Sequence, residues 1–123
     1  MDKRYVAGFF DGEGCINTGV SPYPDGWVHV RVSMSQKHPQ VLEAIRDWLG
    51  VGNLSRHKNT GVYHLNICGR RNVRRFIRLV YPHSVVKRRQ LKLAYALVNG
   101  PSLSKEARHP IREKLMALKK EAP

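Results

Sequence analysis

The chain has 123 residues, with 22 Lys plus Arg against 9 Asp plus Glu, a formal net charge of +13 and 41% hydrophobic residues. That length suits one domain, and the composition is that of a folded chain and not of a disordered one. No apolar run approaches the roughly 20 residues of a membrane helix, and the N-terminal stretch lacks a secretory pattern.

Taken in chain order, Asp2 to Phe10 reads as a short helix. Asp2 can cap it, and Tyr5, Val6, Phe9 and Phe10 share a broad apolar face. Asp11-Gly12-Glu13-Gly14 is expected to break it, because two glycines accept conformations that other residues resist. Cys15 to Val20 reads as a strand, with Ile16, Thr18 and Val20 on one face and Asn17 and Gly19 on the other. Ser21 to Gly26 is dense in turn formers. Trp27 to Gln36 is the clearest strand: Val28, Val30, Val32 and Met34 alternate with Trp27, His29, Arg31, Ser33 and Ser35.

Pro39 then suits the first turn of a helix running to Leu49, with Leu42, Ile45, Trp48 and Leu49 inward and Gly50 as its stop. Val51 to His57 and Val62 to Cys68 form a second hairpin around Lys58-Asn59-Thr60-Gly61. Arg71 to Tyr81 predicts a helix that buries Val73, Phe76, Ile77 and Val80 and ends at Pro82. Val85 to Asn99 predicts another, with Leu91, Ala94, Tyr95 and Val98 inward. Ser102 to Lys120 adds a basic helix, expected to be interrupted near Pro110. The result is an α+β chain of one domain, with four antiparallel strands backed by helices on one face. Residues 1–100 carry the α-β-β-α-β-β-α order, and residues 101–123 are a C-terminal helical extension of the same domain.

Charge is unevenly placed along these elements. Residues 1–50 have a net charge of −1 and residues 51–123 a net charge of +14, and from Arg56 to Lys92 there are 11 basic residues and no acid. So many like charges repel one another, a cost most readily tolerated when the partner is a polyanion. Cys15 and Cys68 have neither disulfide-framework nor zinc-ligand spacing, and the six histidines lack a metal-binding pattern.

Asp11 and Glu13 oppose that trend. Carboxylates at a helix C-terminus face the negative end of its dipole, at a cost of roughly 0.3–1 kcal/mol each. In a basic chain with a negative ligand, this placement points to a hard cation such as Mg²⁺. Such an ion takes one or two carboxylates with carbonyls, waters and phosphate oxygens, and activates water.

The run Val6-Ala7-Gly8-Phe9-Phe10-Asp11-Gly12-Glu13-Gly14 resembles the LAGLIDADG motif of the homing endonuclease family, with Glu as the second acid. Ser35-Gln36-Lys37, Leu49-Gly50-Val51-Gly52 and Lys87-Arg88-Arg89-Gln90 extend the resemblance over about residues 4–98. It implies a saddle-like curved sheet in the DNA major groove and metal-dependent cleavage of both strands at a long pseudo-palindromic site, leaving short 3′ overhangs. It assigns Glu13 and the Gly12 carbonyl to the metal, Gln36 to water near the scissile phosphate, and Lys87 or Arg89 to the basic position. Asp11 ranks below Glu13 as a ligand. Gln40 stands where some relatives have Arg. Mg²⁺ is the expected ion, with Mn²⁺ substituting and Ca²⁺ supporting binding without cleavage.

One motif per chain supplies one essential acid, whereas a double-strand break needs two cuts. A homodimer follows, paired through the motif helix, with Val6, Ala7, Gly8, Phe10, Asp11 and Gly12 as the expected interface. The polar strand faces become the reading surface for double-stranded DNA. Candidates are Asn17, Ser21, Trp27, His29, Arg31 and Ser33, then Ser55, His57, His64 and Asn66, with Arg31 foremost for guanine. Arg70 and Arg71 are candidates for phosphates. Two other readings stay open: a relative that binds intron RNA as a maturase with little or no cleavage, and a small basic binder without chemistry. The expected location is cytoplasmic, nucleoid-associated or organellar, and not secreted.

Overall fold

The computed structural model describes residues 1–21, 28–99 and 105–121. Helix α1 spans Lys3–Glu13, β1 Gly14–Val20, β2 Val28–Gln36, α2 Gln40–Leu49, β3 Asn53–Arg56 and β4 Tyr63–Ile67. Helix α3 then spans Arg70–Val80, a 3₁₀ turn Tyr81–His83, α4 Arg88–Val98 and α5 Lys105–Glu121. The four strands form one antiparallel sheet in the order β1-β2-β4-β3.

Period-2 alternation divides this sheet into two unlike faces. Ile16, Val32 and Ile67 lie in register across β1, β2 and β4, as do Met34 and Leu65 across β2 and β4. All five are fully buried beneath the helices. Val6, Ala7 and Phe10 of α1, Leu42, Ile45 and Leu49 of α2, and Val73, Phe76, Ile77 and Val80 of α3 close the core. Phe10 meets Phe76 edge to face at 5.2 Å between ring centroids, a geometry that pairs a positive ring edge with a negative ring face.

Local chemistry sets most of the element ends. The Asp2 carboxylate accepts the Tyr5 N–H at 2.9 Å and starts α1. Gly50 ends α2 in the left-handed region at φ 80°, its N–H donating to the Arg46 carbonyl. Arg75 donates to the Leu49 carbonyl at 2.7 Å, tying α3 to the end of α2.

Three elements depart from the sequence reading. Helix α1 does not break at Asp11 but runs through Gly12 and Glu13, because the Asp11 carboxylate is engaged by a distant segment and does not compete for the local backbone. That same engagement holds residues 85–87 out of α4, which starts at Arg88 and not at Val85. Helix α5 continues through Pro110 without interruption. Proline there removes one backbone donor. The helix keeps its course because it packs on α4, with Leu115 fully buried and Arg108 only 1% exposed. Trp27 and the expected stop at Gly100-Pro101 lie outside the described residues. No helix among the described residues is long and apolar enough to cross a membrane.

Candidate active site and nucleic-acid interface

The site is built around the C-terminal end of α1. Its last turn has no following helical N–H groups to satisfy its carbonyl oxygens, and two of those carbonyls belong to Asp11 and Gly12. The Lys87 ammonium donates to the Asp11 carbonyl at 2.6 Å and lies 5.8 Å from the centre of the Phe10 ring. A cation at the negative end of the helix dipole is well placed. Glu13 closes the helix and is exposed, as is Gly12.

The Asp11 side chain explains why Lys87 arrives there. Its carboxylate accepts the Ser84 hydroxyl at 2.5 Å, the Val85 N–H at 2.7 Å, the Val86 N–H at 3.1 Å and the Lys87 N–H at 3.2 Å. Burial pushes its pKa up, but these four donors outweigh that and hold the carboxyl below its ordinary value of 3.8. Asp11 is thus a clamp that orders residues 84–87 and delivers Lys87 to the helix end. Arg89 is exposed, and no hydrogen bond ties it to α1 among the described residues. The geometry separates Lys87 from Arg89, which the run Lys-Arg-Arg left open.

Gln36 reaches the same end of the sheet by register. Gly14 pairs with Met34, so two residues further along β2 comes level with the junction of α1 and β1. Gln36 shares the parity of Val32 and Met34 and therefore belongs to the helix-covered side, where α1 and Lys87 lie. Its side-chain oxygen accepts the Lys37 N–H at 3.0 Å.

Helical phase corrects the expected pairing face of α1. Val6, Ala7 and Phe10 are fully buried in the chain's own core and are not available to a second molecule. Tyr5, Gly8 and Gly12 are exposed and Phe9 is half-buried, and together they form the outward stripe. A methyl group added at Gly8 or Gly12 would meet nothing within 4 Å. Asp11 is half-buried and committed to residues 84–87.

The uncovered face of the sheet gathers most of the candidate reading residues. Asn17 lies opposite Arg31 and Gly19 opposite His29. Ser33 pairs with Asn66, Ser35 with His64, and Ser55 with His64. Asn17 donates to the Ser33 hydroxyl at 3.1 Å, Ser35 and His64 Nδ1 share a hydrogen bond of 2.7 Å, and the His57 ring meets the His64 ring edge-on at 6.4 Å. Ser21 lies just past β1, and Trp27 is outside the described residues. Arg70 and Arg71 open α3 beyond the end of β4, off this face. Arg70 donates to the Val98 carbonyl at 3.3 Å and lines a cavity of about 600 Å³ with Arg31, Asn17 and Arg108.

Some of these residues escaped the sequence reading. Cys15 and Asn53 share the polar face, and extending the alternation by one step in each strand finds them; the alternation itself places Ser35 on that face without naming it as a reading residue. Ser84 has no such signal, because its partner is 73 residues away. Nor do Arg112, which donates to the Thr18 hydroxyl at 3.1 Å, and Lys119, 3.5 Å from the Asn17 side-chain oxygen, both on α5.

Comparison with known proteins identifies the family and agrees with the fold. A family profile described as LAGLIDADG endonuclease matches residues 6–95. The chain belongs to the LAGLIDADG endonuclease family. The homing endonuclease I-TnaI is 26% identical, with the whole of both chains covered and a TM-score of 0.76. The archaeal intron-encoded homing endonuclease I-Vdi141I, solved with DNA, is 24% identical over 98% of this chain and 84% of its own, with a TM-score of 0.75. The homing endonuclease I-CvuI, solved with uncleaved DNA in the presence of magnesium, is 22% identical over 93% of this chain and 94% of its own, with a TM-score of 0.68. No curated protein matches the chain.

Proposed function

We propose that this chain is one half of a homodimeric, site-specific DNA endonuclease that hydrolyses both strands of a long pseudo-palindromic duplex and leaves short 3′ overhangs. One observation carries the reading: Glu13 and Gly12 are exposed at the end of α1, where Lys87 is held 2.6 Å from the Asp11 carbonyl. A carboxylate and a backbone carbonyl are hard oxygen donors, the set that Mg²⁺ or Mn²⁺ accepts, with water and phosphate completing the shell. Among the described residues no group of three or more His, Cys, Asp and Glu gathers within this chain. Two copies meeting along Tyr5, Gly8, Phe9 and Gly12 bring two Glu13 side chains together, one for each DNA strand. A divalent ion held there supplies charge neutralisation at the phosphate and a more acidic water.

The chain's own groups do the rest. Lys87 offsets negative charge that develops on the scissile phosphate. Gln36, with a donor and an acceptor on one amide, orients water at the strand end. Arg89 contributes long-range positive charge. On the open sheet face, Arg31 presents a two-pronged donor to guanine, and Asn17, Ser33, His64 and Asn66 read neighbouring bases. At roughly 3.4 Å per residue, the nine residues of β2 run along about nine base pairs of groove.

The test is selection from randomised duplex DNA with Mg²⁺. Wild-type protein is expected to enrich and cut one pseudo-palindromic sequence. Glu13→Gln is expected to bind that sequence and leave it intact, and Ca²⁺ in place of Mg²⁺ should do the same to wild type. Cleavage that persists in Glu13→Gln, or in a chelator, refutes the assignment.

A further inference from the structure

The sheet face accounts for only part of the positive charge. Helices α3 and α4 lie on the opposite side of the sheet, so side chains on their outward surfaces cannot enter a groove that the strands occupy. Yet from Trp48 to Lys105 there is no acidic residue, and Arg71, Arg75, Arg78, Arg88, Arg89 and Lys92 are all exposed on these two helices.

Two of these cations are organised around aromatic rings, and a third lines the space between them. Between α3 and α4 a cavity of about 350 Å³ is lined by Ile77, Arg78, Tyr81, Pro82, Lys92 and Tyr95. Arg78 donates from Nε to the Tyr95 hydroxyl at 2.9 Å and stands 5.7 Å from the centre of that ring. The Arg88 guanidinium stacks over Tyr81 at 4.8 Å. Rings that hold arginines in place, with an apolar floor between them, form more than a solvated basic helix surface. The cavity volume falls at the small end of ligand clefts, about 300–1,000 Å³, and is too narrow for a double helix.

We propose that this groove is a second nucleotide site, taking an unpaired base against Ile77, Pro82 and the tyrosine rings and its phosphate on Arg78, Arg88 and Lys92. Stacking on aromatic rings with cations along the backbone is the general chemistry of unpaired nucleotides, whose base faces are uncovered. Duplex DNA, whose bases are stacked inward, and a run of acidic side chains, which offers carboxylates but no ring, each use only the cationic half of the groove. The inference is independent of Glu13 and of cleavage.

The test measures binding of a labelled single-stranded RNA ten-mer to the full-length protein by fluorescence anisotropy, with unlabelled duplex DNA, single-stranded DNA and AMP as competitors. Arg88→Ala/Lys92→Ala is expected to weaken strand binding at least tenfold and change duplex binding less than twofold. Arg31→Ala should show the reverse. Displacement by millimolar AMP identifies a free nucleotide as a sufficient ligand, and displacement by strands alone identifies a nucleotide within a chain. Both outcomes support the groove. Because a variant can perturb packing, amide chemical shifts of wild-type protein titrated with the RNA provide a mutation-free reading, expected to move at residues 77–82 and 88–95. Strand binding that duplex DNA abolishes stoichiometrically, that survives Arg88→Ala/Lys92→Ala, or that shifts only strand residues overturns the proposal.

Discussion

Replacing Asp11 by Ala should uncouple the end of α1 from residues 84–87, the two halves of the candidate site. Its carboxylate holds one hydroxyl and three backbone N–H groups from residues 84–87. Hydrogen bonds to a charged acceptor contribute about 1.5–3 kcal/mol each at best. Two of the four are discounted, because Val85 and Val86 are exposed and water replaces the lost partner there. Ser84, 2% exposed, and the partly buried Lys87 N–H have no such replacement. With the two remaining bonds taken at the lower end of that range, the expected loss is about 3 kcal/mol, which lowers Tm by roughly 10 °C in a domain of this size. Asp11→Asn keeps one acceptor oxygen and should lose about half as much.

The pH dependence follows from the lowered native pKa of Asp11. A carboxyl held below its ordinary value stabilises the fold fully above that value and loses its contribution as pH falls through the native one. The stability gap between wild type and Asp11→Ala, measured by denaturant unfolding, should be constant near neutrality. It should close in acid, below the ordinary 3.8. DNA cleavage by folded Asp11→Ala should fall sharply, because Lys87 loses the anchor of its own backbone. A gap below about 0.5 kcal/mol, the range of ordinary surface substitutions, or one that does not narrow in acid, refutes the clamp.

Other outcomes follow from single positions. Gly8→Val should leave the monomer fold intact, since nothing lies within 4 Å of the added carbon, but sedimentation should show the dimer dissociating and cleavage lost with it. Gly14→Ala should destabilise by about 1–3 kcal/mol or more, because its Cβ would sit 2.6 Å from the Phe10 carbonyl oxygen and 2.1 Å from its ring. Gly12→Ala, with open space around it, is the matched control in the same unfolding assay. Arg31→Ala should cost about 1–3 kcal/mol in duplex binding and relax base preference at one position in each half-site, read by repeating the selection.

Much of this was legible in the residues. Strict alternation from Val28 to Met34 assigned one strand face to the core and left His29, Arg31 and Ser33 on the other, because a period of two admits no third arrangement. The motif and its resemblance proposed Gly12, Glu13 and Gln36, with Lys87 or Arg89, as candidates without coordinates, and the structure brings Lys87 to the end of α1. What the linear order could not contain is the phase of α1 against the sheet and the partner of Asp11. Val6, Ala7 and Phe10 face inward because α3 and β2 are there to receive them. A helix with apolar residues around most of its circumference carries no local sign of which side is covered. Likewise the contact between Asp11 and residues 84–87 spans more than 70 positions, so it exists only after the sheet has brought the two segments together. Composition and periodicity decide which surfaces are made. Tertiary packing decides which of them are used up inside the molecule and which remain exposed at its surface.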